Sequence, residues 1–385
     1  MKKGLILEGG AMRGLFTCGV MDVLMENDIE FDGGIGISAG AVFGCNYKSR
    51  QHGRPRRYNE TFCRDKRYCS LHSLITTGDL YGADFCYREV PLYLDPFDAE
   101  AFEKNPMEFY VGATDVRTGK CIYHLCTDGL ENDTQWMRAS ASMPLVSRVV
   151  KIDGYELLDG GIADSIPFEF MESQGYDRNV IVLTQPKTYQ KGKNKLLPLM
   201  KIVLRDYPLL IETMANRHII YNHQLREIAK REKKGISFVI RPPEDLKIGR
   251  VEKDPNEMER VYQIGRREAE KRIDALKHFL SEEYEVKEDV NMSREKIREH
   301  IQFFGTVQGV GFRFQAMMAA EQLGLTGYVK NEGDGSVTME IQGGKEEIDA
   351  ALDMIGSSRF IEIEKTLRKQ IPLDEYESGF SADYW

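Results

Sequence analysis

The chain has 385 residues, 42% of them hydrophobic and 29% charged, with a formal net charge of −9. This is globular composition with length for one large core and a smaller one, so two domains are expected, and the acidic balance counts against nucleic acid as the main partner. Seven cysteines, none spaced as a CxxC pair, exclude a disulfide framework and a zinc site as readings and point to a reducing compartment.

After Met1-Lys2-Lys3 the apolar run Leu5 to Leu7 stops at Glu8, too short for a secretory signal, and no run approaches the roughly 18 apolar residues of a spanning helix. A cytoplasmic location is expected. Leu5 to Leu7 and Gly34 to Ile37 read as buried strands, with Phe16, Val20, Val23 and Leu24 at helical spacing between them. Phe109 to Ala113, Val180 to Leu183 and Ile236 to Ile240 continue the alternation. It predicts an α/β fold, a doubly wound, mostly parallel sheet with helices on both faces and functional loops at the carboxyl ends of its strands.

Two of those loops carry chemistry. Gly36-Ile37-Ser38-Ala39-Gly40 follows a strand and opens a helix, the setting of a nucleophile elbow in which small neighbours relieve crowding at a strained turn. Taken alone it is equally a plain strand-to-helix turn. Gly9-Gly10-Ala11 also lies between a strand and a helix, where exposed backbone N–H groups collect. A dinucleotide fingerprint would need glycine at position 11 and an acidic residue ending the next strand, which ends in Ser38 instead.

With Arg13, the segment Arg138-Ala139-Ser140-Ala141-Ser142-Met143-Pro144 and Asp159-Gly160-Gly161, residues 1–290 resemble the patatin-like phospholipases, lipid acyl hydrolases with a Ser–Asp dyad. The resemblance implies Ser38 as nucleophile, Asp159 as base, and an oxyanion hole around Gly9, Gly10, Ala11 and Arg13. Two departures bear on substrate range: Ala11 stands where many relatives have a third glycine, and Ser165 where asparagine is common. An aspartate with a pKa of about 3.9 is a feeble base toward a hydroxyl, so the dyad requires Asp159 to be desolvated and bonded to Ser38. His52, His72, His124, His218 and His223 have no triad-like context, and Asp115 and Asp153 read as inert turn aspartates.

Lys48, Arg50, Arg54, Arg56, Arg57, Arg64, Lys66 and Arg67 crowd one stretch, interleaved with Tyr47, Tyr58, Phe62 and Tyr68. We favour a solvated helix–loop face for Lys48 to Arg67; the other reading is peripheral contact with anionic membrane headgroups. Leu196 to Ile211, apolar but punctuated by Lys201, Arg205 and Asp206, reads first as core-facing and second as an interfacial lid. Glu257 to Glu283 has the pattern of one long polar helix, and Glu282 to Arg298 is a charged connection placing a boundary near residue 292.

Residues 293–385 read as strand, glycine loop, helix, strand, turn at Asp334-Gly335, strand, helix and further extended chain, an α+β ferredoxin-like sandwich. Between the first strand and helix, Gln308, Gly309, Val310, Gly311 and Phe312 can turn consecutive N–H groups and a helix N-terminus on a phosphate. Arg313 supplies a fork for two phosphate oxygens and Asn331 directs a water at phosphorus. No metal ligands cluster nearby, so neither a metal nor a cofactor is expected. Gly305 through Arg313, followed by Gly327-Tyr328-Val329-Lys330-Asn331, resemble the acylphosphatases, and the resemblance implies those same roles for Arg313 and Asn331. The reading is a hydrolase of lipid or acyl esters fused to a metal-free acylphosphatase. Two alternatives stand: an active esterase whose C-terminal domain only binds phosphorylated ligands, and a non-catalytic acyl or phosphate sensor.

Overall fold

Leu5, Ile6 and Leu7 are wholly buried because their strand has a parallel neighbour on each side, and the loop that follows them takes its position from that arrangement. The computed structural model describes residues 1–281, 283–284, 296–358, 360–374 and 377–383. It divides into two compact units, Met1–Lys287 and Glu288–Trp385; the boundary expected near residue 292 lies outside the described residues.

The first unit contains strands β1 (Lys2–Leu7), β2 (Gly33–Ile37), β3 (Glu108–Asp115), β4 (Cys121–Cys126), β5 (Val150–Ile152), β6 (Tyr155–Asp159), β7 (Tyr176–Val182) and β8 (Ser237–Ile240). Their order is β5-β6-β3-β2-β1-β7-β8, with β4 paired to β3. Pairing is parallel from β3 through β2, β1 and β7 to β8. It is antiparallel where β3 meets β4 and β6 and where β5 meets β6. The expected mostly parallel sheet is present, with a short antiparallel flank that ends in Asp159.

The helices of this unit are α1 (Gly14–Glu26), α2 (Ala39–Lys48), α3 (Arg54–Phe62), α4 (Leu71–Thr77), α5 (Ala99–Lys104), α6 (Glu131–Ser140), α7 (Phe168–Ser173), α8 (Leu197–Val203), α9 (Pro208–Lys234), α10 (Pro255–Glu270) and α11 (Ile273–Leu280). Leu5 and Leu7 pack on one side of the sheet with Phe16 and Val20 of α1, Ala41 of α2 and Val261 of α10. Ile6 packs on the other side with Phe168 and Met171 of α7 and Tyr221 and Ile228 of α9. Burial on both faces is why these strands read as unbroken apolar runs. Two glycines seat α2 on the sheet: a Cβ on Gly36 would lie 2.3 Å from the Gly40 carbonyl oxygen, and one on Gly40 2.2 Å from that of Leu7.

Three expectations are refined. The long polar helix is two, α10 and α11, because Arg272 leaves the helical path to donate to the Val239 carbonyl and lie 4.4 Å over the Phe238 ring. Between Leu196 and Ile211, Met200, Leu204 and Leu210 are core-facing and Leu197 and Ile211 pack against them, whereas Leu196, Leu199, Ile202 and Val203 are 48–72% exposed; a surface helix that is apolar on all sides cannot bury them all. The basic stretch is a solvated face in part, with Arg50, Arg57, Arg64, Lys66 and Arg67 exposed and Lys48 and Arg54 buried, and most of its cations have partners within the chain. Arg54 is buried and bonds the Asp95 carbonyl at 2.6 Å and Asn46 at 2.9 Å. Arg57 pairs with Asp95, Arg56 with Glu259, Arg50 with Glu30, and Arg67 with Asp65 and Glu89. Lys48 lies 4.3 Å over the Phe102 ring. Among the described residues no helix is long and apolar enough to cross a membrane.

The second unit contains β9 (Lys296–Thr306), α12 (Phe312–Gln322), β10 (Thr326–Asn331), β11 (Val337–Gly344), α13 (Lys345–Gly356), β12 (Glu362–Ile371) and β13 (Phe380–Asp383), with sheet order β12-β9-β11-β10-β13. Both β9 and β10 run antiparallel to β11, so they are parallel to each other across it. That is the expected split βαβ arrangement.

Because Arg54 satisfies two buried acceptors, Arg54→Met is expected to cost about 3 kcal/mol in urea denaturation. Arg67→Ala, whose ion pairs are exposed, should leave the midpoint nearly unchanged. Equal effects would show that burial does not govern the basic stretch.

Candidate functional site

Ser38 joins β2 to α2 at φ 55°, ψ −121°, a left-handed conformation that a side chain adopts only when its surroundings enforce it. The enforcement is specific. Its N–H donates to Ser140 Oγ at 2.8 Å, and that hydroxyl donates to the Gly112 carbonyl at 2.6 Å. Two residues on, the Ser142 carbonyl accepts the Asp159 N–H at 2.8 Å. One short segment at the end of α6 thus anchors both Ser38 and Asp159 by their backbones. Ser140 and Ser142 lie in the segment that carried part of the family resemblance, but their sequence spacing alone does not reveal this clamp.

Asp159 ends β6 with its carboxylate accepting the Gly161 N–H at 2.8 Å. Burial pushes this carboxyl above the ordinary aspartate range, against the opposing effects of Arg217, the Ser38 hydroxyl and the Gly161 N–H. Asp115 and Asp153 are differently employed. Asp115 accepts from Thr118 at 2.8 Å and Asp153 from the Trp136 indole at 2.8 Å, both beside turns.

The Gly9 to Arg13 loop is braced from β7. Thr184 donates to the Gly9 carbonyl at 2.9 Å, and Glu8 accepts from the Thr184 N–H at 2.6 Å and the Tyr221 hydroxyl at 2.5 Å. Ala11 has φ 49°, the region that favours glycine. The Arg13 N–H is occupied by the Gly10 carbonyl at 3.1 Å, so Arg13 offers its side chain rather than its amide. Ser165 donates to the Gly161 carbonyl at 2.8 Å and bolsters the turn after Asp159.

Ser38, Ala11 and Met143 line two cavities at once. One, of about 120 Å³, is walled by groups such as Phe43, Tyr58, Tyr87 and Val90. The other, of about 600 Å³, contains Asp159, Lys191, Arg217 and Tyr221. His218 is on its wall, with Nδ1 3.0 Å from the Ala215 carbonyl. His124 pairs with Asp133 at 2.7 Å, yet neither lines these two cavities.

In the second unit, Asn331 is in register with Val337, and Val337 with Phe303 near the end of β9. The loop between β9 and α12 and the end of β10 therefore lie at one sheet edge. Gln308 ties them, donating through Nε2 to the Glu332 carbonyl at 2.8 Å and the Ser336 carbonyl at 2.7 Å. Gly309 and Gly311 have φ 73° and 84°. The Phe312 ring is buried against Phe303 at 4.8 Å. For Gln308 and Phe312 this leaves the backbone as the part able to meet an anion. Arg313 opens α12 and is half-buried.

Residues 5–171 match the patatin-like phospholipase model, residues 207–281 a domain of unknown function (DUF6363), and residues 299–382 the acylphosphatase model. The Escherichia coli protein named "Uncharacterized protein YjjU" is 31% identical over 192 residues, which are 47% of this chain and 52% of that protein. The chain thus spans about half the length of that relative. The acylphosphatase of Yersinia pseudotuberculosis is 37% identical over 83 residues, 21% of this chain and 89% of that protein. A solved acylphosphatase from Bacillus subtilis aligns at 29% identity over 23% of this chain and 99% of its own, with a TM-score of 0.22. Through residues 299–382 the chain belongs to the acylphosphatase family, and ahead of them it carries a patatin-like phospholipase domain.

Proposed function

We propose that residues 1–290 hydrolyse acyl esters with Ser38 as nucleophile and Asp159 as general base, and that residues 293–385 hydrolyse acyl phosphates with Arg313 and Asn331. The observation that carries the first part is a serine on a left-handed strand-to-helix turn that shares a cavity wall with a buried carboxylate. In this reading Asp159 takes the hydroxyl proton as Ser38 Oγ bonds to the ester carbonyl carbon. N–H groups around Gly10 and Ala11 receive the oxyanion, and the departing alkoxide takes the proton back from Asp159. Water, activated by the same carboxylate, then cleaves the acyl-serine. The elevated Asp159 pKa makes it a better base than an ordinary aspartate, which answers the objection that a carboxylate is feeble toward a hydroxyl.

In the second unit the glycine-rich turn at the N-terminus of α12 supplies amides for a phosphate, Arg313 the charge-assisted grip, and Asn331 the orientation of the attacking water. Support comes from family membership and from the register and the Gln308 bonds that bring this loop beside the end of β10.

Ser38→Ala and Asp159→Asn should each remove esterase activity from a folded protein, because a dyad acts as a unit. A serine-directed fluorophosphonate should label the wild type and not Ser38→Ala; near-normal turnover by either variant would refute the assignment.

The pH dependence has a definite sign. Only the ionised carboxylate can accept the proton, so esterase kcat/KM should fall as pH drops through a value above the ordinary aspartate pKa of about 3.9. A rate still flat at pH 4 would remove Asp159 as the base.

Acyl phosphate turnover by the full chain should persist in Ser38→Ala and in chelator. Arg313→Ala should weaken both binding and turnover, by roughly 10- to 100-fold in kcat/KM, whereas Asn331→Ala should act mainly on kcat. Phosphate binding without Arg313-dependent turnover would reduce this domain to a ligand-binding module.

A further inference from the structure

One face of α9 reaches the Ser38 centre at three points. Arg217, Tyr221 and Gln224 follow one another at helical spacing and so project from one side of the helix. Tyr221 donates to Glu8 at 2.5 Å, at the base of the Gly9 to Arg13 loop. Gln224 donates through Nε2 to Asp164 at 2.6 Å and to the Ile166 carbonyl at 3.3 Å, which fixes the turn that follows Asp159-Gly160-Gly161. Arg217, one turn nearer the start of the helix, lines the cavity that also contains Ser38 and Asp159.

The two glycines after Asp159 make room for what surrounds it. A Cβ on Gly160 would lie 2.1 Å from the Gly112 carbonyl oxygen of β3. One on Gly161 would stand 3.0 Å from Nη2 of Arg217 and 3.1 Å from Oδ1 of Asp159. The guanidinium and the carboxylate thus flank a single point, and a glycine keeps that point open. Arg217 is half-buried, with its Nε buried and without a hydrogen-bond partner. Burial draws the guanidinium below its ordinary range, and Asp159 is foremost among the groups that oppose this. The effect is mutual: burial raises the Asp159 carboxyl, and Arg217 is foremost in holding it down.

A general base in a dry site meets two opposed demands. Desolvation strengthens a carboxylate as a base, but desolvation alone leaves it protonated and unable to accept anything. A guanidinium can hold the balance, since it stays charged at any working pH and has no acceptor atom with which to act as the base itself.

We propose that Arg217 is a positioning residue of the Ser38–Asp159 centre: its guanidinium, presented by the face of α9 that also carries Tyr221 and Gln224, keeps the Asp159 carboxylate ionised and in place to take the Ser38 proton. The proposal rests on the Ser38–Asp159 reading and adds a third group to it. Arg217 neither gives nor takes a proton. The hydroxyl proton passes to Asp159 as Ser38 Oγ bonds to the acyl carbon, and the fixed positive charge favours the ionised form from which that transfer starts. Arg217 lies outside residues 5–171 and inside residues 207–281, so the segment of unknown function acquires a role: its helix α9 completes the proposed centre.

Other titratable groups face the same carboxylate or share its cavity. Arg250, exposed and ahead of α10, acts on Asp159 in the same direction as Arg217 but with less effect. Cys121 and Tyr87 feel the charge of Asp159, and burial raises both well clear of the acid range. Glu8, Arg13, Lys191, Lys193, Lys195 and His218 also line the cavity. Of these, burial draws Lys191 down to about 7 and His218 below its ordinary range, so both titrate where activity is measured.

The test is the pH profile of kcat/KM for a soluble neutral ester, ethyl butyrate, with the full chain, released butyrate as readout and Ser38→Ala as blank. Arg217→Met should move the acid limb to higher pH, because loss of the cation favours the protonated carboxyl; the expected result is about a 10-fold loss at pH 5 and a smaller one at pH 8. Arg217→Lys, which keeps the charge, should recover much of the activity at pH 5. Arg217→Gln, which keeps a polar side chain without the charge, should not, and it takes the place of Arg217→Met should that variant fail to fold. Arg250→Gln should move the limb less, since an exposed charge is screened. The movement should persist when Lys191→Met or His218→Asn is added, because neither group supplies the limb. Equal fractional losses at pH 5 and pH 8, or a lysine variant no better than the glutamine one, mark a merely structural role and overturn the proposal while leaving the dyad standing. A movement that vanishes with Lys191 or His218 overturns it as well. Hydrolysis that survives Ser38→Ala overturns the dyad itself.

Discussion

A serine held in a left-handed conformation is the constraint on which the first unit turns. Such backbone strain costs on the order of 1–3 kcal/mol, and several features hold Ser38 to it. Parallel pairing of β1 with β2 fixes the strand that precedes it. Gly36 and Gly40 let α2 settle against that strand without a clash. The Ser140 hydroxyl receives the Ser38 N–H, and the same segment, through the Ser142 carbonyl, receives the Asp159 N–H. Relative placement of serine and aspartate is therefore a property of the backbone. The side chains need only close the last contact, which is the sense in which such a centre is preorganised.

The parallel strands were legible in the sequence because burial on both faces writes a continuous apolar run, and the elbow because a serine among small residues follows such a run. The antiparallel flank was not, since β5 and β6 have only three and five residues and alternate too briefly to register. The resemblance brought Asp159 into consideration before any geometry did. Charges were legible only in part. Arg50, Arg57, Arg64, Lys66 and Arg67 are at the surface, yet Arg54 in their midst is buried and its carbonyl partner is 41 positions away. Conversely, Arg217 and Arg250 lie far along the chain from the lysines at 191, 193 and 195, and all of them line one cavity only when α9 and the segment before α10 fold beside Ser38. Sequence periodicity records which face of an element is apolar, but not which distant cations share a cavity.

Ala11 illustrates how a departure from a family pattern acquires physical content. Its φ of 49° lies where glycine is favoured, so the methyl group is carried at a conformational cost in a loop already braced by Thr184 and Glu8. Because Ala11 lines both cavities, its methyl stands at their shared wall beside Ser38. In the proposed reaction, an alanine that leaves every N–H in place would bear on which esters fit rather than on whether an oxyanion is stabilised.

The two units use one structural device for different charges. Each presents a turn between a strand and a helix, opened by residues of positive φ, so that backbone amides gather at a helix N-terminus. At Ser38 the proposed negative charge is transient: it develops on a neutral ester and collapses again, and amides alone can meet it. At Arg313 the proposed ligand is a standing anion, which loses strong hydration on entering the loop, so amides must be joined by a permanent cation.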